Sequence, residues 1–272
     1  MKVERIQTRN AAFQKFEVLK TNRNKRFRYQ EFFVEGVRNL TQAVRNGWSI
    51  VSFLYTDERE LSRWARDLLA VVETEVNHVL PASLLAELSG KEDTSELLAV
   101  VRMREDDLSQ LRFSANPFLA LFDRPSNHGN LGTVIRSCDA LGVEALILTG
   151  HSVDPYDPAV VVASMGSFFQ VPVVRVAESE AVQEFLDGMK AKYPRFQTVG
   201  TTAHEATPIS LVDFTRPTLI LIGNETDGLS KAYKDACDVL ATIPMGAEAS
   251  ASSLNVACAA TVVFYEALRQ RS

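Results

Sequence analysis

Cysteine is scarce in this chain. Cys138, Cys237 and Cys258 are the whole complement, odd in number, widely separated and without a C-x-x-C pair, so neither a disulfide framework nor a zinc site follows from them. No apolar run approaches the roughly 20 residues that a membrane-spanning helix needs. Met1-Lys2-Val3-Glu4-Arg5 lacks the apolar core of a secretion signal, and a cytoplasmic protein with reduced thiols is expected. The four histidines, at 78, 128, 151 and 204, have no ligand-like spacing, and no metal is expected. Several signatures are also missing: G-x-G-x-x-G, G-x-x-x-x-G-K-[ST] and G-x-S-x-G are all absent. Dinucleotide-dependent oxidoreduction, P-loop NTP hydrolysis and serine-hydrolase chemistry lose their main support.

What is present fits a two-domain protein. The 272 residues are 46% hydrophobic and 23% charged, an ordinary globular composition with room for two cores. The net charge of -5 is unevenly spread. Residues 1–45 hold eleven Lys or Arg against four Glu, a net of +7, which leaves -12 for the remainder. Phosphate binding depends on local potential, so the overall acidity does not exclude nucleic acid. Lys20, Arg23, Lys25, Arg26 and Arg28 fall within nine residues with no acid between them, interleaved with Phe27 and Tyr29. Rings beside cations suit unpaired bases and phosphates, which makes Arg23, Lys25, Arg26 and Arg28 candidate RNA contacts. A solvated, charged helix end accounts for the cluster equally well.

Periodicity divides the chain further. In the first half, 13–19 has helical spacing, 32–34 and 50–55 read as strands and 37–46 as a helix. A long amphipathic pattern covers 58–72, and strands at 76–80 and 97–103 flank a helix from Ala82. These make a smaller N-terminal α/β domain over 1–106, followed by a polar linker at 107–116. The second domain, 117–272, opens on Phe118-Leu119-Ala120-Leu121-Phe122, continuously apolar as in a parallel strand covered on both faces. Further strands are expected at 145–148, 171–176, 198–201, 218–222 and 239–243. Helices are expected near 131–141, 158–165, 180–191, 231–237 and 255–271. Such alternation implies a wound parallel sheet with helices on both faces.

Three stretches of this second half carry the chemistry. They are Asn130-Leu131-Gly132-Thr133-Val134-Ile135-Arg136, then Gly223-Asn224-Glu225-Thr226-Asp227-Gly228-Leu229, then Ile243-Pro244-Met245 leading to Ser252-Ser253-Leu254-Asn255-Val256. All sit in loops after strands, where ligands of open α/β sheets settle. Gly132, Gly223 and Gly228 allow close approach of backbone to a ligand, or positive φ. In order and spacing the three resemble the motifs of the SpoU-TrmH family, S-adenosylmethionine-dependent ribose 2'-O-methyltransferases of RNA. The resemblance runs from Asn116 to the C-terminus. The basic segment leading into Phe32-Phe33-Val34-Glu35-Gly36 resembles the ribosomal-protein-like RNA-binding domain often found ahead of it.

That resemblance implies a deep trefoil knot at the C-terminal end, which periodicity alone does not reveal and general topology disfavours. It implies a homodimer whose active site borrows from the partner. It casts Arg136 as the catalytic residue of the first motif. Methyl transfer to a ribose hydroxyl needs in-line alignment and loss of the hydroxyl proton. A guanidinium keeps its proton up to a pH above about 12, so Arg136 is expected to organise phosphate-assisted deprotonation rather than accept the proton itself. Asn130 is expected to position RNA or the partner's arginine, and Glu225 to orient Arg136 or cap the following helix. Ser253 and Asn255 are expected near cofactor and substrate, although both are also good helix caps. Cofactor contacts map onto Thr201 or Thr202, Gly223, Ile243, Met245 and Leu254. The loop 246–251 is about two residues longer than the family pattern, an insertion that falls just ahead of Ser252.

The expected activity is therefore S-adenosylmethionine-dependent methylation of a ribose 2'-hydroxyl in structured RNA, with 23S rRNA favoured over tRNA. A tRNA ribose 2'-O-methyltransferase is the alternative within the class. A non-catalytic RNA-binding ribosome-assembly factor of the same fold is the alternative outside it.

Overall fold

The computed structural model describes residues 2–90 and 93–272. It divides into two compact units. One comprises the residues up to Arg104 together with Tyr156–Gln170, and the other comprises Glu105–Pro155 with Val171–Ser272.

The first unit is built on a five-stranded mixed sheet. Its strands are β1 (Val3–Arg5), β2 (Glu31–Glu35), β3 (Ile50–Tyr55), β4 (Asn77–Val79) and β5 (Leu98–Arg102), in the order β1-β4-β3-β5-β2. All five residues of β2 are buried, which is why its sequence is continuously apolar at the centre rather than alternating. Successive side chains still take opposite faces. Phe33 joins Phe13, Phe16, Leu19 and Leu54 in one core layer, and Phe32 meets Trp48 and Phe168 edge-on, Tyr156 tilted and Phe169 stacked in one aromatic cluster. Helix α1 (Ala11–Thr21) presents Phe13, Phe16 and Leu19 on one face. It ends at Asn22, whose extended backbone breaks the helix and whose side chain accepts from Lys25 N to start α2 (Arg23–Tyr29). Helices α3 (Val37–Arg45), α4 (Arg63–Val71) and α5 (Ala82–Leu88) complete the run.

Arg26 is a correction to the sequence reading. It is 1% exposed, donates to the carbonyls of Leu19 and Lys20, both at 3.0 Å, and pairs with Asp157 at 3.0 Å. A buried guanidinium needs its donors satisfied and its charge paired, and here all of this is supplied internally. It is an anchor, not a surface RNA contact. Asp157 also caps α7 (Pro158–Ala163) through Ala159 N. The expected helix at 158–165 therefore exists, but it belongs with the first unit rather than with the wound sheet.

The second unit is a seven-stranded, wholly parallel sheet. Its strands are β6 (Phe118–Asp123), β7 (Leu146–Thr149), β8 (Val173–Val176), β9 (Gln197–Thr201), β10 (Thr207–Pro208), β11 (Thr218–Ile222) and β12 (Val239–Thr242), ordered β10-β12-β9-β11-β6-β7-β8. The central pair β6 and β11 is buried throughout. Along β6, Leu119 and Leu121 enter a core with Ile147, Val174, Leu186 and Met189, while Phe118 meets Phe264 of α10 (Val256–Arg271) on the other face. Strand order reverses between β6 and β11, the kind of switch point beside which open α/β sheets bind ligands. Helix α6 (His128–Ala140) follows β6 and is pinned to α10 by Ser137 and Thr261, whose hydroxyls are 2.6 Å apart. Helices α8 (Ser179–Lys192) and α9 (Lys231–Asp235) cover the remainder.

Residues 107–116, read as a linker, carry a 3-10 turn at Leu108–Gln110, and Leu108, Leu111 and Phe113 pack on the core of this unit. The expected strands and helices of the second half are all present, with ends moved by a few residues. The short edge strands β1 and β10 are additions. Among the described residues no helix is long and apolar enough to cross a membrane.

Candidate active site

Three loops converge beyond the carboxyl ends of β9, β11 and β12. They enclose a cavity of about 320 Å³. Thr201, Thr202, Gly223, Ile243, Met245 and Leu254, the six residues read as cofactor contacts, all line it, as do Glu225 and Ser253. Leu229, Ala241 and Val263 form part of an apolar wall, and Lys234 and His204 add cationic or polar groups that sequence reading did not single out. Lys234 and His204 lie outside the motifs and carry no local signal.

The loop after β11 is tightly made. Asn224 and Gly228 exchange backbone hydrogen bonds at 3.0 Å in both directions. The Asn224 side-chain oxygen accepts from Thr226 N and Asp227 N, so a single Asx side chain closes the turn. Gly228 has φ +68°. Gly223 is required for another reason: a Cβ there would lie 2.3 Å from Gly228 C and Leu229 N. The close approach is between two backbone segments of the protein.

One polar network joins all three motifs. Glu225 Oε2 accepts from the Ser126 amide at 2.9 Å and the Ser126 hydroxyl at 2.8 Å. Its Oε1 accepts from Asn127 N at 3.0 Å and from Asn130 Nδ2 at 3.3 Å. Asn130 Oδ1 in turn accepts from Asn255 Nδ2 at 3.1 Å. Asn127 caps α6 through Asn130 N, and Asn255 caps α10 through Ala257 N and Cys258 N. Burial pushes the Glu225 carboxyl up, but the bonds from Ser126 and Asn130 outweigh it and hold its pKa below the ordinary value. It is thus ionised at neutral pH and fixes the start of α6.

This differs from the expected job of Glu225. Among the described residues it receives nothing from Arg136, and the helix that follows it, α9, is capped by Ser230 instead. Arg136 itself is exposed on α6, makes no hydrogen bond or ion pair among the described residues and does not line the cavity. Helical geometry explains why: six residues beyond Asn130 places it about 9 Å along the axis and roughly 120° around it. Asn130, Glu225 and Asn255 are brought together; Arg136 is not brought to them within one chain. Ser253 is exposed at the cavity rim, and the longer loop 246–251 is exposed and closed by a turn from Ala249 N to Gly246 O. In the first unit, Arg23, Lys25 and Arg28 lie on α2, with the Arg23 guanidinium over the Phe27 ring.

The model of the SpoU rRNA Methylase family matches residues 117–265, and that of the SpoU L30e-like domain matches 10–99. A 23S rRNA (uridine(2479)-2'-O)-methyltransferase of Streptomyces viridochromogenes is 47% identical over 268 residues, covering 98% of this chain and 92% of the relative. The 23S rRNA (guanosine(2553)-2'-O)-methyltransferase RlmP of Bacillus subtilis (strain 168) is 26% identical over 89% of this chain and 90% of its own length. Among solved structures, the SpoU methyltransferase AviRb from S. viridochromogenes in complex with the cofactor AdoMet superposes with a TM-score of 0.88 at 46% identity, covering 96% of this chain and 99% of that one. With a family model spanning over half of its length and a relative this similar along nearly all of it, the chain belongs to the SpoU rRNA Methylase family.

Proposed function

We propose that this protein transfers the methyl group of S-adenosylmethionine to a ribose 2'-hydroxyl of 23S rRNA. The observation that carries the reading is the convergence of the loops after β9, β11 and β12, which hold the second and third motifs, on one cavity, with the first motif tied to them through the Glu225–Asn130–Asn255 network. The cavity chemistry fits the cofactor. Apolar Ile243, Met245 and Leu254 suit a flat purine, the Thr201 and Thr202 edge suits a ribose diol, and Glu225 and Lys234 offer opposite charges to a zwitterionic amino-acid tail. When bound, the cofactor supplies an activated sulfonium methyl.

The chain's own residues then have separable tasks. Glu225, Asn130 and Asn255 hold the heads of α6 and α10 and present an amide-rich edge to the ribose and its phosphate. Ser253 stands at the rim as a hydroxyl partner. Arg136, a permanent cation with a planar fork, takes the target phosphate bidentately and favours loss of the neighbouring hydroxyl proton. Because Arg136 is exposed and does not line its own cavity, it serves the cavity of a second copy, and the working form is a homodimer paired through the α6 and α10 faces. The exposed Val262 and Tyr265 on α10 support that surface. A trefoil knot at the C-terminal end of the second unit and a cytoplasmic location complete the reading. The first unit, the residues up to Arg104 with Tyr156–Gln170, is the rRNA-binding module, with Arg23, Lys25 and Arg28 as phosphate and base contacts.

Incubation with tritiated S-adenosylmethionine and 23S rRNA is expected to label the RNA at an alkali-resistant dinucleotide, the mark of a 2'-O-methyl group. Label confined to tRNA, or none with either RNA, would reject the substrate assignment. Reversing Arg23, Lys25 and Arg28 to glutamate is expected to weaken rRNA binding and to flatten the slope of log K against log salt by up to about one unit per lost phosphate contact. Arg26→Ala acts differently. It strands Asp157 and the carbonyls of Leu19 and Lys20, at a cost of roughly 3 kcal/mol, read as a lower urea midpoint. An unchanged salt slope in the triple reversal would place the RNA elsewhere.

A further inference from the structure

Arg124, the first residue after β6, has φ 53°. A residue with a side chain persists in the left-handed region when its surroundings over-determine it, and such positions concentrate at functional sites. The surroundings of Arg124 are specific. Its Nε and Nη2 donate to the two carboxylate oxygens of Asp123 at 3.1 and 3.0 Å. Asp123 is buried and also accepts from the Thr149 hydroxyl and the Ser230 amide, so the anchor for the guanidinium is itself fixed.

From that anchor Arg124 grips the loop after β11 at both ends. Its Nη2 donates to the Gly228 carbonyl at 3.1 Å, and its own backbone carbonyl accepts from Asn224 Nδ2 at 2.7 Å. Nη1 stands 3.8 Å from the Asp227 carboxylate. Gly150, with φ +61°, makes room for the arginine stem, since a Cβ there would meet Arg124 Cγ at 2.7 Å. The gripped residues 224–228 form one wall of the cavity, yet Arg124 does not line it. No general need of the fold calls for a strained arginine here; the shape of the loop does.

We propose that Arg124 is a positioning residue for cofactor binding, a clamp anchored on Asp123 that holds the Asn224–Gly228 loop in the form that accepts S-adenosylmethionine. This rests on the cofactor reading of the cavity given above. The guanidinium fork is essential, because two nitrogens engage Asp123 while one of them also reaches Gly228. A lysine keeps the charge beside Asp123 but is a single point donor.

The test is calorimetric titration of S-adenosylmethionine into the wild-type chain, Arg124→Lys, Arg124→Ala and Gly150→Ala, with melting temperatures of the cofactor-free proteins and KM for rRNA measured alongside. Arg124→Lys is expected to melt near wild type but to bind the cofactor about tenfold or more weakly, with KM for rRNA unchanged. Gly150→Ala, which displaces the arginine stem without touching the loop, is expected to weaken binding in the same direction and to add little in the Arg124→Ala background. Wild-type affinity in Arg124→Lys and Gly150→Ala overturns the clamp while the cofactor reading stands. So does a fall in melting temperature with affinity unchanged, or a parallel rise in KM for rRNA. Failure of the wild-type chain itself to bind overturns both.

Discussion

Replacing Arg136 with alanine is expected to lower methyl transfer to rRNA by roughly 10²- to 10³-fold, the usual cost of deleting one preorganised charged donor at a transition state. Cofactor affinity and thermal stability are expected to stay near wild type. The side chain is exposed and has no partner among the described residues, so its loss leaves no buried group unsatisfied. Arg136→Lys should recover little, because a point charge does not reproduce the bidentate fork. The same residue tests the dimer. Arg136 lies off its own cavity, so a mixture of Arg136→Ala with a cavity-blocked variant such as Leu254→Trp, itself shown to take up no cofactor, distinguishes two arrangements. If the arginine acts across the interface, each mixed dimer has one complete site, and an equal mixture regains about a quarter of wild-type activity. If it acts within its own chain, no mixed dimer has a complete site and activity stays at the level of the two parents. Full activity in Arg136→Ala alone would remove this residue from the chemistry.

How much of this could be read from the sequence depends on whether the cause of a feature is local. The strand at 218–222 and the start of the helix at Asn255 were legible because a continuous apolar run and a capping residue act on their own neighbours. The six cofactor-contact candidates lie in three loops, and the structure gathers them round one cavity. Gly223, Ile243, Met245 and Leu254 lie in the motifs, whereas Thr201 and Thr202 were implied by the resemblance alone, and the contacts that draw the loops together were not legible. Asn130 and Asn255 are 125 positions apart, and nothing local marks either as the partner of the other. Glu225 illustrates the same limit. Its carboxylate was expected to serve Arg136 or its own following helix, yet its donors are Ser126 and Asn127, about a hundred residues earlier.

Arg26 was misread for a related reason. In one dimension it is one cation among several. Its burial is decided by Asp157, 131 positions away, and by the carbonyls left open where α1 gives way to α2 at Asn22. The segment Tyr156–Gln170 has the length and periodicity of a βα crossover, and so was assigned to the wound sheet. Its rings, Tyr156, Phe168 and Phe169, instead complete the cluster around Phe32 and Trp48. Apolar periodicity says that a face is buried and leaves open which core buries it.

Gly223→Ala is expected to be the most damaging single change in the cavity wall, weakening S-adenosylmethionine binding by at least about 100-fold, or ~2.7 kcal/mol. The added methyl would sit 2.3 Å from Gly228 C and Leu229 N and 2.7 Å from Gly228 Cα. Those are backbone atoms, and they are held by the paired Asn224–Gly228 bonds and by the Arg124 contacts. A side chain could rotate away, but this turn has to open. Two other glycines calibrate the effect. Gly228 has open space around a Cβ but φ +68°, so alanine there carries a conformational cost of about 1 kcal/mol and no clash. Gly246, in the exposed loop before Ser252, has nothing within 4 Å of a Cβ and no positive φ, and alanine there should be nearly silent. Calorimetry on the three variants should therefore rank the loss of affinity as Gly223, then Gly228, then Gly246. If Gly228→Ala proves worse than Gly223→Ala, backbone strain rather than contact dictates the wall. If Gly223→Ala binds like wild type, the turn is not rigid, and a wall that yields to a methyl group cannot be what shapes the cofactor site.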